Sequence, residues 1–382
     1  MYVTRPLSLL LKSAESVSAA PDGPNSGFLV IQDDESVTYC CFGLCKNRSL
    51  NQLPFPQDKE LIVQYTTTTN GQFAQSSHDP LFLIPALNHP LSSNRYYAIV
   101  PHQKRIGEAF TCSREEDKVS CCFCRCVNDV KPRPLDPRNE YQQFQIAPYN
   151  AFCCCKGQFV AKSVASDGFP PDFLRRKGWT IYTKTPHTFM LDEAPGLDAG
   201  LRASPLELDS SRVVGKWYTP FVFVKDGSLR DQVKQSMYYE VTLEQRWEQI
   251  FKIGNKGIDS VVIDATVERE EVFVGGMSRA VRIKGSAGDG VIWFRGGGGG
   301  VGLRVELVER MKWEEERGGW VGGEETQVKI HKVEEMGGGG GGDWTEFVCY
   351  VLVERFKVRR MDGSVVISCD FKHWHKLKTN YW

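Results

Sequence analysis

Clusters of turn-forming residues cut the first half of this chain into apolar runs too short to be helices. Pro21-Asp22-Gly23-Pro24-Asn25-Ser26-Gly27 leads into Phe28-Leu29-Val30-Ile31, and Pro54-Phe55-Pro56 and Lys131-Pro132-Arg133-Pro134-Leu135-Asp136-Pro137 interrupt the chain further along. Proline fixes φ and lacks an amide donor, while glycine and asparagine admit left-handed turns, so the runs between them read as strands. Apolar spacing of 3.6 is nearly absent. Strand-like runs at 27–31, 96–100 and 178–182 each come after a turn, a faint echo compatible with a pseudo-repeated β fold.

A Pro/Gly/Asp/Ser-rich stretch at 193–211 suggests a boundary near 205. This gives an all-β, cysteine-rich domain over 1–205 and an α+β domain over 206–382. In the second, Ser228 with Asp231 forms a capping signal ahead of Leu229, Val233 and Met237. Leu243, Trp247, Ile250 and Phe251 continue at helical spacing, so 229–252 is predicted as one bent helix or two short ones lying on a sheet. Segments 260–274, 281–295, 326–333, 347–358 and 365–371 alternate β-branched and charged residues and are predicted as strands. Segment 303–317 fits either type: Leu303, Leu307, Val308 and Met311 suit a helix, Val305 and Leu307 a strand. The polyglycine runs 296–300 and 337–342 read as hairpin tips. The fold class expected is mostly β, or α+β: two β-rich domains, the second an antiparallel sheet packed by one helical segment.

Charge narrows the partners. Lys plus Arg and Asp plus Glu both number 47, and each half of the chain is balanced too, so no basic surplus exists to displace counterions from a nucleic acid. The local exception is 355–378, with seven Lys/Arg against Asp362 and Asp370, which reads as a solvated strand face. No apolar run reaches transmembrane length. The run Leu7, Leu9, Leu10, Leu11 is closed by Lys12 and Glu15 before it could serve as a secretory h-region, which points to a cytoplasmic location and reduced thiols.

Eleven of the 13 cysteines precede residue 156. Cys41 with Cys45 and Cys121 with Cys124 meet zinc-pair spacing, but Cys122, Cys124 and Cys126 would share one strand face, which suits buried thiols. Cys153, Cys154 and Cys155 beside Lys156 are candidates for acylation and peripheral membrane contact. Cys369, Phe371, His373 and His375 share strand parity, so Cys369, His373 and His375 could offer three metal ligands. A polar strand end is the plainer reading, and no metal or cofactor is assigned. Gly297, Gly299 and Gly302 satisfy a dinucleotide pattern only through low complexity. Gly-x-Ser-x-Gly and His-Glu-x-x-His are absent, and no catalytic residue is assigned.

The opening Met1-Tyr2-Val3-Thr4-Arg5-Pro6-Leu7-Ser8 closely resembles the plant family known as domain of unknown function 1262. So do Gly23-Pro24-Asn25-Ser26-Gly27-Phe28-Leu29-Val30-Ile31-Gln32-Asp33, Asn94-Arg95-Tyr96-Tyr97, Asp167-Gly168-Phe169-Pro170-Pro171 and Leu174-Arg175-Arg176-Lys177-Gly178-Trp179. Thr242-Leu243-Glu244-Gln245-Arg246-Trp247-Glu248, Val308-Glu309-Arg310-Met311-Lys312-Trp313-Glu314 and Asp370-Phe371-Lys372-His373 extend the resemblance over essentially the whole chain. It implies no activity and supplies no catalytic residues.

The aromatic-rich β half without catalytic motifs points to a non-enzymatic binding or interaction module for a protein or glycan, with Trp179, Tyr96 and Tyr97 as surface candidates. Two alternatives stay open. One is a membrane-acting β protein resembling, in architecture, a lectin joined to a pore-forming module. Its mark would be a pair of roughly ten-residue strands with one apolar face, which Glu268, Arg269, Glu270 and Glu271 spoil within 261–274. The other is a metalloprotein or enzyme using the Cys/His cluster.

Overall fold

The computed structural model describes all residues except 41–43, 70–72, 122–123, 150–156, 187–188, 255–259, 284–288, 298 and 336–343. The fold is β-rich, about 50% strand and 17% helix. It divides into two compact units, the first made of 1–194 and 218–239, the second of 195–217 and 240–382.

In the first unit the strands order as Phe159–Ser163, Gln143–Pro148, Arg95–Ile99, Phe73–Pro85, Glu60–Thr69, Thr180–Lys184 and Ser49–Leu50, each antiparallel to its neighbour. Apolar residues on one face of this sheet meet Phe55, Phe159, Leu174 and Trp179 in a single core. Trp179 is fully buried and donates from Nε1 to the Leu174 carbonyl at 2.9 Å. Tyr96 and Tyr97 are 1% exposed. These three aromatics are therefore core residues and form no binding surface. Nearby, strands Tyr2–Pro6 and Gly27–Ile31 pair in parallel, with the Tyr2 ring laid over Gly27. A Cβ at Gly27 would stand 2.3 Å from that ring, so only glycine fits.

The second unit is built on a sheet ordered Gly299–Arg304, Val291–Gly296, Ser278–Arg282, Glu270–Val274, Val365–Tyr381, Glu346–Arg360 and Tyr238–Gly254. The expected helix over 229–252 is only partly formed. Leu229–Gln235 is helical, with Ser228 accepting from the Asp231 amide, but it belongs to the first unit, and Tyr238–Gly254 is a 17-residue strand. Leu243, Gln245 and Trp247 also satisfy a period of two. Their neighbours Glu244, Arg246 and Glu248 face charges on the next two strands of the sheet, and this pairing overrides the helix preference of Leu, Glu, Gln and Arg. The helix that packs the second unit is instead Val305–Arg317, the segment whose sequence fitted both types. It comes after the Val291–Gly296 and Gly299–Arg304 hairpin, whose tip carries the first glycine run as expected. Among the described residues the chain leaves that tip as the strand Gly299–Arg304 and not as the helix a dinucleotide fingerprint requires. The second glycine run lies outside the described residues, as does Cys153–Cys155.

The alternating charges of the second unit form a ladder across one sheet face. Glu244 meets Lys357 and Arg359; Arg246 meets Asp370, which also holds Arg355; Lys372 bridges Glu248 and Glu271 at 2.6 Å each. Within the basic stretch 355–378, Arg355, Lys357, Arg359 and Lys372 are thus paired strand to strand rather than simply solvated. A separate antiparallel ribbon, Ser260–Glu268 with Gln327–Glu335, turns Val261, Ile263, Val267 and Ile330 inward against Trp344 and Phe347.

Candidate functional site

Four elements of the second unit bring charged side chains into the interior. Helix Val305–Arg317 buries Leu307, Met311, Glu314 and Glu315, a stripe at i, i+4, i+7 and i+8. Strand Glu346–Arg360 contributes Glu354, flanked at i−2 and i+2 by buried Leu352 and Phe356. Strand Val365–Tyr381 contributes His373, and the short helix Ala199–Ala203 contributes Arg202.

These groups meet in one cluster. His373 Nε2 lies 3.0 Å from Glu315 Oε2 and 3.1 Å from Glu354 Oε2, with all three side chains no more than 1% exposed. Arg202 donates from Nε to Glu354 Oε1 at 2.9 Å, from Nη2 to Glu354 Oε2, and from Nη1 to the Glu314 carbonyl at 2.9 Å. Gln245 Nε2 donates to Glu354 Oε1 at 2.7 Å. Glu314 is paired with Arg310 one turn back along the helix.

The environment splits the two carboxyls. Burial, then the charge of Glu354, push Glu315 well above the usual carboxylate range. Burial also acts on Glu354, but hydrogen bonds from His373 and Arg202 and the guanidinium charge outweigh it and hold Glu354 well below that range. Burial lowers His373 despite Glu354. The environment thus favours the ionised form of Glu354 against Arg202, the protonated form of Glu315 and the neutral form of His373. Nε2 is the ring nitrogen of His373 that meets the carboxyls, and Nδ1 has no hydrogen-bond partner.

Among the described residues, Glu315, Glu354 and His373 are the group whose ligand atoms lie close enough together, within 4.8 Å, to hold a metal ion. Of the three residues singled out from sequence, His373 alone belongs to it. Cys369 is buried in the same strand and lines a different cavity with Met311, Trp320 and Phe371. A bulge interrupts the parity before His375: Val351 pairs with Leu377 while Leu352 pairs with His373. His375 is displaced to the surface, its ring centre 5.9 Å from that of His373. One observation counts against a metal ion between the glutamates: the guanidinium of Arg202 already occupies both oxygens of Glu354.

Arg202 and Gln245 also form the floor of a cavity of about 530 Å³. Its wall carries Arg212, Arg317 and Lys376 beside Leu206, Trp247 and Leu352, and none of its lining residues is acidic. The same bulge places Lys376 here, where Nζ donates to the Gly318 carbonyl at 2.7 Å. Arg212 is held by the Ser204 and Pro205 carbonyls and by Gln245, and Lys378 donates to the Leu206 carbonyl while lying 5.8 Å over the Trp247 ring. Arg212, Lys376 and Lys378 thus have oxygen partners of the neutral kind only. Sequence reasoning missed Arg202, Gln245, Glu315 and Glu354. The signal present was a Glu between two inward apolar residues and a Glu on the buried stripe of a helix.

A β-rich unit with a cation-lined pocket set over a sealed acid cluster is the class of site the geometry defines. A family profile described as a protein of unknown function (DUF1262) matches residues 22–123. That span includes the motifs at 23–33 and 94–97; the resemblance expected at 1–8, at 167–179 and in the second half lies outside it. No curated protein matches the chain. Among solved structures, the chain is similar to the crystal structure of Cry35Ab1 at 12% identity and a TM-score of 0.48, over 86% of this chain and 90% of that one.

Proposed function

We propose that this chain is a non-enzymatic binding protein whose second unit takes an acidic saccharide. The observation that carries this reading is the cavity lined by Arg202, Arg212, Arg317 and Lys376 with Trp247 and no carboxylate. A wall that offers cations and no acid recognises carboxylate or phosphate, and an indole offers a flat face to a sugar ring. The groups with perturbed titration stand behind Arg202 and Gln245. Glu315, Glu354 and His373 have essentially no solvent-facing surface, so they could not exchange protons with a ligand in the cavity. Calorimetric titration with glucuronate and glucose 6-phosphate, with glucose as the neutral match, tests the reading. Binding of the acidic sugars alone, weakened roughly tenfold by Lys376→Met, is expected; equal behaviour of all three sugars removes it.

A membrane-acting role is the second reading, favoured by the ribbon of Ser260–Glu268 and Gln327–Glu335. Its strands are nine residues long, about the length that crosses a hydrocarbon core. One face carries Val261, Ile263, Val267 and Ile330 with Lys332 and Glu334 at its end, the other Asp264, Thr266, Lys329 and His331 with Val262 and Val333. The two strands are not neighbours in sequence, so they make no simple hairpin. Failure of the purified protein to release dye from anionic vesicles would dismiss this role.

A further inference from the structure

The first unit contains a cavity of about 690 Å³ that plays no part in the acidic-saccharide reading. Its apolar floor is formed by Phe110 and Phe173, which meet edge to face at 5.0 Å, together with Pro101 and Pro132. Both phenylalanines are only partly buried at the margin of the core, so their outer surfaces are open to the cavity. The remaining lining is charged: His102, Lys104, Arg105 and Arg230 stand against one carboxylate, Asp79. Arg105 is engaged, with Nη1 2.7 Å from both Glu108 and the Pro132 carbonyl. Lys104 and Arg230 form no ion pair with any described residue. Lys104 is carried by the turn Gln103–Arg105 and Arg230 by the helix Leu229–Gln235.

We infer that this cavity is a second ligand site, for an amphipathic anion: a flat aromatic body on the Phe110 and Phe173 floor, with a sulfonate, carboxylate or phosphate taken by Lys104 and Arg230. The size lies within the range of small-molecule pockets, and the pairing of an apolar floor with a few convergent charges is how such pockets fix orientation. A neutral aromatic would leave both cations unanswered, and a small inorganic anion would leave the floor wet. The site differs from the pocket of the second unit in its floor, which is phenylalanine and proline rather than indole and aliphatic side chains, and it stands or falls independently of that pocket.

The test is calorimetric titration of the full chain with 1-naphthalenesulfonate, with 1-naphthol as its neutral match. Saturable binding of the sulfonate and none of the naphthol is expected. The exposed double variant Lys104→Ala/Arg230→Ala should fold with an unchanged melting curve and weaken the sulfonate at least about tenfold, while Lys376→Met should leave it unchanged. Equal binding of sulfonate and naphthol, or retention of sulfonate affinity in the double variant, would overturn the proposal. So would loss in Lys376→Met alone, which would assign the sulfonate to the other pocket.

Discussion

The sharpest consequence of the buried cluster is that its two glutamates answer differently to the same substitution. Glu315 is pushed toward its protonated form, chiefly by burial and then by the Glu354 charge, so Glu315→Gln is expected to replace one neutral group by another of nearly equal shape. Its expected cost near neutral pH is under about 1 kcal/mol. Glu354 is ionised and takes two hydrogen bonds from Arg202. Glu354→Gln leaves that guanidinium, whose side chain is 9% exposed, with no charge partner but the neutral Glu315. Breaking a buried pair from one side costs about 3–5 kcal/mol. At about 2–4 °C per kcal/mol for a unit of this size, the melting temperature should fall by roughly 6–20 °C. The pH dependence separates the two further. A carboxyl raised on folding stabilises the native state below its unfolded value near 4.5 and loses that contribution as pH rises through the folded value. Wild type should therefore lose stability on the alkaline side, and Glu315→Gln should lack that limb. His373 is lowered on folding, so its contribution is present above its ordinary 6.5 and is lost as pH falls. Scanning calorimetry over a pH series from about 5 to 9 reads the sign of both slopes. If Glu315→Gln costs as much as Glu354→Gln at neutral pH, then Glu315 is ionised, as a metal ligand would be, and the charge assignment is wrong.

Three further outcomes are expected from the same structure. Burial pushes the Cys112 thiol up to about 11 and raises Cys349 and Cys369 as well, so at about pH 8 these three should resist a thiol-reactive disulfide reagent until denaturant is added; mass spectrometry of the labelled peptides reports the sites. Gly27→Ala drives a Cβ to 2.3 Å from the Tyr2 ring and should destabilise by about 1–3 kcal/mol, read from the urea midpoint at unchanged slope. Asp370→Asn strands Arg246 and Arg355 on the sheet face. Because both arginines keep some access to water, the cost should be about 1–3 kcal/mol by the same measurement, less than for Glu354→Gln.

The strands of the second unit were legible because charge and β-branching alternate along them, and the turns of the first because proline and glycine mark them. The misreading at 238–254 has a specific cause. A strand covered on one face by core and on the other by a charge ladder needs Leu and Trp on one parity and Glu and Arg on the other. In the order Thr242-Leu243-Glu244-Gln245-Arg246-Trp247-Glu248, those residues also lay an apolar stripe on a helix. Only the partner strands decide between the periods, and Lys357, Arg359, Asp370 and Lys372 lie more than a hundred residues away. The site was less legible for the same reason. His373 could be singled out by its type, but Arg202 sits 152 residues from Glu354 in a stretch that reads as a linker.

Neutral total charge, finally, conceals an unequal distribution that bears on function. On the ladder face nearly every cation has a carboxylate opposite it, and inside the cluster Arg202 and Arg310 are each answered by a glutamate. What remains at the pocket is Arg212 and Lys376, whose partners among the described residues are backbone carbonyls, the Ser204 hydroxyl and an amide oxygen. Carbonyl dipoles orient a cation without cancelling its charge, so the potential in the cavity stays positive although the chain as a whole is neutral. The upward push on Glu315 works in the same direction. An ionised second carboxylate behind Arg202 would pull the pocket toward neutrality, whereas a carboxyl that favours its protonated form leaves the wall charges to act on a ligand. Balanced composition thus argues against a long polyanion, which needs an extended basic surface, and is fully compatible with one small anion in one cavity.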